Sequence, residues 1–130
     1  WGSMLDVLLV DDDEAACRFW RKFLEDSGLS VESDSNSFAA IRRLEKRPVL
    51  VVVSEQKMDV GGPNGTALLT TVLRRWPKTG RVLLTAEIGI ERAALAARAL
   101  VLRRVDRPGD IRRAIIAEVQ DAERRHQGPT

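Results

Sequence analysis

"LVVVSEQKM", residues 50–58, sets the reading of this chain. An unbroken run of Leu and Val ends at Ser54 and meets a carboxylate, Glu55, followed by Lys57 and Met58. A strand with one wet face alternates apolar and polar residues, whereas a continuous β-branched run implies cover on both faces, as in a parallel sheet. Such a strand finishing on glutamate puts a charge at the sheet's carboxyl edge, where open α/β sheets collect their ligands.

The segments on either side repeat one pattern. Leu5 to Val10 is a short apolar run bounded by Asp11-Asp12-Asp13-Glu14, and reads as a buried strand. Ala16, Trp20, Phe23, Leu24 and Ser27 then recur at helical spacing, and Gly28 supplies a stop. Ser30 to Asp34 alternates as a second strand. Ser35-Asn36-Ser37 offers N-cap chemistry for a second helix whose buried side is expected at Phe38, Ile41 and Leu44. Beyond the third strand, the Gly-rich loop 59–64 leads into a helix over Thr66 to Trp76 that Pro77 helps to end. Arg81 to Thr85 reads as strand four, Ile90 to Leu100 as helix four, Val101 to Val105 as strand five, and Asp110 to about Arg125 as a long last helix. Strands alternating with helices at this spacing predict an α/β fold: a central parallel sheet with right-handed crossovers.

Composition bounds the rest. A chain of 130 residues, 44% hydrophobic and 31% charged, fits one globular domain. No apolar run approaches the roughly 18 residues of a membrane helix, and no signal peptide opens the sequence, so a soluble cytoplasmic protein is expected. Trp1-Gly2-Ser3 ahead of Met4 reads as an expression remnant, residues 4–126 as the domain, and 127–130 as a tail or the start of a linker. The lone Cys17 excludes an internal disulfide and is expected to fill core space. The net charge of +2 conceals an asymmetry: residues 1–73 carry 8 Lys/Arg against 12 Asp/Glu, residues 74–130 carry 13 against 7. The arginines are dispersed rather than gathered in one tract, which disfavours nucleic-acid binding as the main function.

Four strand ends hold polar groups: Asp11-Asp12, Ser54-Glu55, Thr85-Ala86 and Asp106-Arg107-Pro108. Clustered carboxylates suit a hard cation, and two or three of them with a backbone carbonyl and waters is the usual protein share of a Mg²⁺ site. Read alone, Asp11 to Glu14 serves equally well as a helix cap. A hydroxyl from Thr85 and a cation from Arg107 facing the same point would complete a cradle for phosphoryl oxygens.

These pieces resemble the receiver domain of two-component response regulators over Leu5 to about Ile116. The matching stretches are "LLVDDDE", "VVVSEQKM", "GTALLTTVLRRWP", "RVLLTA" and "VDRPGDI", in that order. The resemblance implies a CheY-like, flavodoxin-like fold, with strand order 2-1-3-4-5 and five flanking helices. It also implies transfer of a phosphoryl group from a histidine kinase to an aspartate ending strand three, with Mg²⁺ held by Asp11, Asp12, the acceptor residue and the Lys57 carbonyl. Thr85 and a lysine before the closing proline would then grip the phosphoryl oxygens.

Two central positions depart from the pattern. Glu55 stands at the acceptor position and Arg107 at the lysine position, and Arg104 replaces the aromatic residue expected in strand five. Registering Ser54 as acceptor would misplace Met58, so Glu55 is preferred. Glutamate carries its carboxylate about 1.5 Å farther than aspartate, and near-attack geometry tolerates little such error. The expectation is therefore a pseudo-receiver in which Glu55 imitates a modified aspartate and pairs with Arg107, with Mg²⁺ binding weak or absent and no enzymatic phosphotransfer. The function expected is phosphorylation-independent signalling through protein contacts. The alternatives are a working acceptor at Glu55 or Ser54 with Mg²⁺, and a basic domain binding nucleic acid or a cyclic nucleotide. Arg98, Arg103, Arg104, Arg112 and Arg113 mark the expected partner face on helix four, strand five and helix five, open to an acidic partner or a second copy, with an output domain beyond the C-terminus.

Overall fold

The computed structural model describes residues 4–59 and 61–128. The expression remnant at 1–3 and the last two residues of the suggested linker lie outside them. Five strands, β1 (Leu5–Val10), β2 (Val31–Asp34), β3 (Val49–Ser54), β4 (Gly80–Thr85) and β5 (Leu100–Arg103), alternate with five helices. These are α1 (Glu14–Glu25), α2 (Ser37–Lys46), α3 (Gly65–Arg75), α4 (Glu91–Ala96) and α5 (Pro108–Gln127). The strands form one parallel sheet in the order β2-β1-β3-β4-β5.

All six residues of β3 are buried, as its unbroken apolar run requires. Successive side chains point to opposite faces. Val52 joins Leu8 and Leu83 beneath α2, α3 and α4, while Val51 and Val53 join Leu9 and Val82 beneath α1 and α5. Removing each such side chain from water contributes about 1.5–3 kcal/mol, so the two-faced core fixes the strand order and register on which the site depends.

Helix boundaries follow local chemistry. The Asp13 carboxylate accepts from the backbone N–H groups of Ala15 and Ala16 to start α1, Asn36 caps α2 and Asn64 caps α3. Pro108 sits in the first turn of α5, where a missing N–H costs nothing. Helix α3 begins against the end of β3: a Cβ on Gly65 would stand 2.2 Å from the Glu55 carbonyl oxygen, so only glycine allows this approach.

Three sequence expectations change. Helix four does not reach Leu100; it stops at Ala96, because Arg98 takes a left-handed φ of 49° and Leu100 opens β5. Without the usual glycine there, the stop left no sequence signal. Phe38 is 55% exposed and lies over Gly62, while Ser37, Ala40 and Leu44 form the buried side of α2. Cys17 is only partly buried, and its thiol donates to the Asp11 carbonyl oxygen at 3.3 Å, so it borders the carboxyl edge rather than filling core.

Candidate functional site

The carboxyl edge brings Asp11, Glu55 and Thr85 to the same end of three neighbouring strands, because the register sets Val10 opposite Ser54 and Ser54 opposite Leu83. Asp11 follows β1. Its Oδ1 accepts from the Asp13 N–H at 2.9 Å, which turns the chain into α1. Glu55 follows β3, and its Oε1 accepts from the Gln56 N–H at 2.7 Å.

The remaining oxygen of each carboxylate is taken by one side chain, and it belongs to Arg104. Arg104 Nε donates to Glu55 Oε2 at 2.6 Å, and Nη2 donates to Asp11 Oδ2. The guanidinium thus reaches from the end of β5 past β4 to the ends of β3 and β1, bridging two acids through different nitrogens of one planar fork. Both acids are largely withdrawn from water, their side chains 11% and 13% exposed against 26% for Arg104.

Burial pushes the Asp11 carboxyl above the usual range, and neighbouring Glu55 adds to this; the Asp13 N–H and the Arg104 charge recover only part of it. Arg104 also loses hydration, but the attraction of Asp11 and Glu55 and their hydrogen bonds outweigh that loss and raise its pKa. The arginine is firmly cationic and offsets one of the two carboxylate charges from inside the protein.

This corrects the expected partner of Glu55. Arg107 lies exposed at the N-cap of α5, makes no side-chain capping bond and, among the described residues, forms no ion pair. Arg104 could have been found from the pleat: Leu102 faces the layer of α1 and α5, and Arg104, two residues on, continues toward the same side, where Asp11 stands.

The other expected site residues occupy their places but are differently engaged. Asp12 is partly exposed, and its Oδ2 accepts from the Asp59 N–H at 2.5 Å. Lys57 is exposed on the following loop. The Ser54 hydroxyl is fully buried and donates to the Glu55 carbonyl at 2.8 Å. The Thr85 hydroxyl is also buried and accepts from the Glu87 N–H at 3.0 Å. Among the described residues, no group of three or more His, Cys, Asp or Glu is placed to hold a metal ion.

The five arginines assigned to the partner face divide. Arg98 and Arg113 are exposed, and Arg113 pairs with Asp110. Arg103 ties the start of α4, with Nη2 on Glu91 at 2.6 Å and Nη1 on the Glu87 carbonyl. Arg104 fills the site. Arg112 lies over the Phe23 ring at 3.9 Å and donates to the Phe23 carbonyl, which directs it to α1.

Against known proteins, the family model for the response regulator receiver domain matches residues 7–117. The chain belongs to that family. It is 30% identical over 94 residues to a putative response regulator NtrX-like protein of Rickettsia conorii, covering 72% of this chain and 20% of the relative. A counterpart from Rickettsia bellii is 28% identical over the same length and shares. The chain thus spans about one fifth of the curated relatives it matches. Among solved structures, a signal receiver domain of an HD domain-containing protein from Pseudomonas fluorescens Pf-5 superposes with a TM-score of 0.88 at 18% identity, over 99% of this chain and 96% of that one. A CheY-like receiver domain protein from Methanospirillum hungatei superposes with a TM-score of 0.84 at 22% identity, over 93% and 98%. These likenesses agree with the receiver fold.

Proposed function

We propose that this receiver domain signals through protein contacts without accepting a phosphoryl group. The observation that carries the reading is the Glu55–Arg104 pair at 2.6 Å. A phosphoacceptor carboxylate must present a free oxygen in line with the donor. Both Glu55 oxygens already accept hydrogen bonds, one from Gln56 and one from Arg104. The longer side chain displaces the carboxylate from an aspartate's position, and in-line attack is sensitive to displacements of about 1 Å. Ser54 is no substitute, since its buried hydroxyl is committed to the Glu55 carbonyl.

The contact surface we propose is the face of α4, β5 and α5: Ile88 ahead of α4, Leu95 on it, Leu100 on β5 and Val105 after it are exposed apolar side chains, and Arg98 and Arg113 are exposed cations of the same elements and their connections. Exposed large apolar side chains on neighbouring elements mark interaction sites better than scattered ones, and α4 packs against β5. The surface suits a protein partner or a second copy of the chain, and an output domain beyond residue 130 is the natural recipient of the signal. We place this activity in the cytoplasm; among the described residues, no helix is long and apolar enough to cross a membrane. Against a nucleic-acid role stands the engagement of Arg103, Arg104 and Arg113 with Glu91, Asp11 and Asp110, which leaves few of these cations available to phosphates.

The test is intact-mass spectrometry after incubation with Mg²⁺ and acetyl phosphate, beside a Glu55→Asp/Arg104→Gln double variant that restores an aspartate and frees Asp11 from the guanidinium. The native protein is expected to keep its mass, and the variant to gain one phosphoryl group. Labelling of the native protein at stoichiometric yield would overturn the reading.

A further inference from the structure

We infer that Arg104 is a built-in counter-ion, standing where a divalent cation would neutralise the carboxyl edge and closing a latent metal site formed by Asp11 and Glu55. The donor set as it stands does not fit Mg²⁺. One oxygen of Asp11 and one of Glu55 are held by backbone N–H groups, and the other two are held by the same guanidinium. Asp12, the third acid, has one oxygen on the Asp59 N–H.

Charge decides the competition. Asp11, Glu55 and Arg104 together carry one net negative charge, so an incoming divalent ion would face a guanidinium in hydrogen-bond contact with the oxygens it needs. A divalent ion would have to displace the guanidinium from the two oxygens it holds while lying against its like charge, and each effect weakens binding to the native pocket. Replacing Arg104 by a neutral residue reverses this. Two adjacent carboxylates with space for water are then left, and Mg²⁺ sites commonly consist of one or two carboxylates with several waters retained.

The inference goes beyond the absence of phosphotransfer and stands or falls separately, because no phosphoryl donor enters its test. Mn²⁺ is the probe, with free ion counted by electron paramagnetic resonance and tryptophan emission followed in parallel, since Trp20 lines the same crevice as Asp11, Glu55 and Arg104. Arg104→Gln, checked for folding by circular dichroism, is expected to bind one Mn²⁺ at least about tenfold more tightly than the native protein. Adding Asp11→Asn to it is expected to abolish that gain. A native protein that binds Mn²⁺ as tightly as the folded Arg104→Gln variant overturns the inference, as does a folded variant that binds no better than native. A second measurement does not depend on that variant folding: in the native background, Glu55→Gln is expected to change Mn²⁺ affinity by less than about twofold, because the carboxylate is already occupied. A native affinity that collapses with Glu55→Gln overturns the inference equally.

Discussion

The carboxyl ends of β3 and β5 are separated in the sheet only by β4, yet they are built on different terms. Strand β3 is buried along its whole length, and its neighbours on both sides hold it in register. Strand β5 is an edge strand of four residues, none fully buried, paired with β4 alone. Its position against the rest of the sheet is reinforced by side chains that leave in opposite directions from adjacent residues: Arg103 toward α4 and Arg104 into the acidic pocket. In the centre, burial dictates residue type and the backbone carries the geometry. At the edge, two long cations carry it.

The sharpest way to break this comparison is to remove the clasp. Arg104→Met leaves Asp11 and Glu55 facing each other, withdrawn from water and without their shared cation. A loss of about 3 kcal/mol in urea unfolding is expected, whereas Arg107→Met is expected to stay within about 0.5 kcal/mol of native. If the Arg107 variant proved the more damaging, the assignment of the clasp to Arg104 would be wrong.

The central strand offers a second lever. Gly65→Ala drives a methyl group into the Glu55 carbonyl, and because that obstacle is backbone, a destabilisation of about 2 kcal/mol is expected by the same measurement. A neutral result would mean that the end of β3 can shift, and that its rigidity is overstated.

The smallest effect concerns Cys17, which reports on the pocket without taking part in it. Burial raises its thiol pKa, and the Asp11 carboxylate raises it further, while Arg104 pulls the other way. The thiolate is therefore scarcer at neutral pH than in free cysteine. Labelling by iodoacetamide is expected to be several-fold slower than for free cysteine, with a rate still climbing at pH values where free cysteine has levelled off. A rate equal to that of free cysteine would contradict this arrangement of charges.

The same contrast explains what could be read from the residues. The strands were legible because the runs at 5–10, 49–54 and 80–85 are largely buried and composition follows burial, whereas their order came from the resemblance to receiver domains. The acids at the strand ends were legible for the same reason, being fixed by where those strands stop. The identity of the cation was not. Arg104 and Arg107 are three residues apart on the same connection, and which one turns inward depends on pleat and on the first turn of α5 rather than on residue type. Phe38 was misassigned because periodicity cannot tell a phenylalanine under a sheet from one resting on a loop glycine. The end of α4 was hidden because Arg98 takes a backbone conformation that glycine usually announces.

One device at the end of β3 bears on engineering the chain. The Gln56 side chain accepts from the Thr66 N–H at 2.8 Å and donates to the Thr66 hydroxyl at 3.2 Å, while the Gln56 carbonyl accepts from the Gly65 N–H. The chain leaving the strand is thereby fastened to the start of α3 before the loop runs out and again after it returns. A ring closed at its neck can change circumference without moving the neck, and lengthening a loop costs little, about 0.6 kcal/mol for each doubling. The exposed Gly61-Gly62 pair is therefore a port: a peptide tag or reporter spliced there would ride outside the fastening and leave Glu55 and its arginine where they stand.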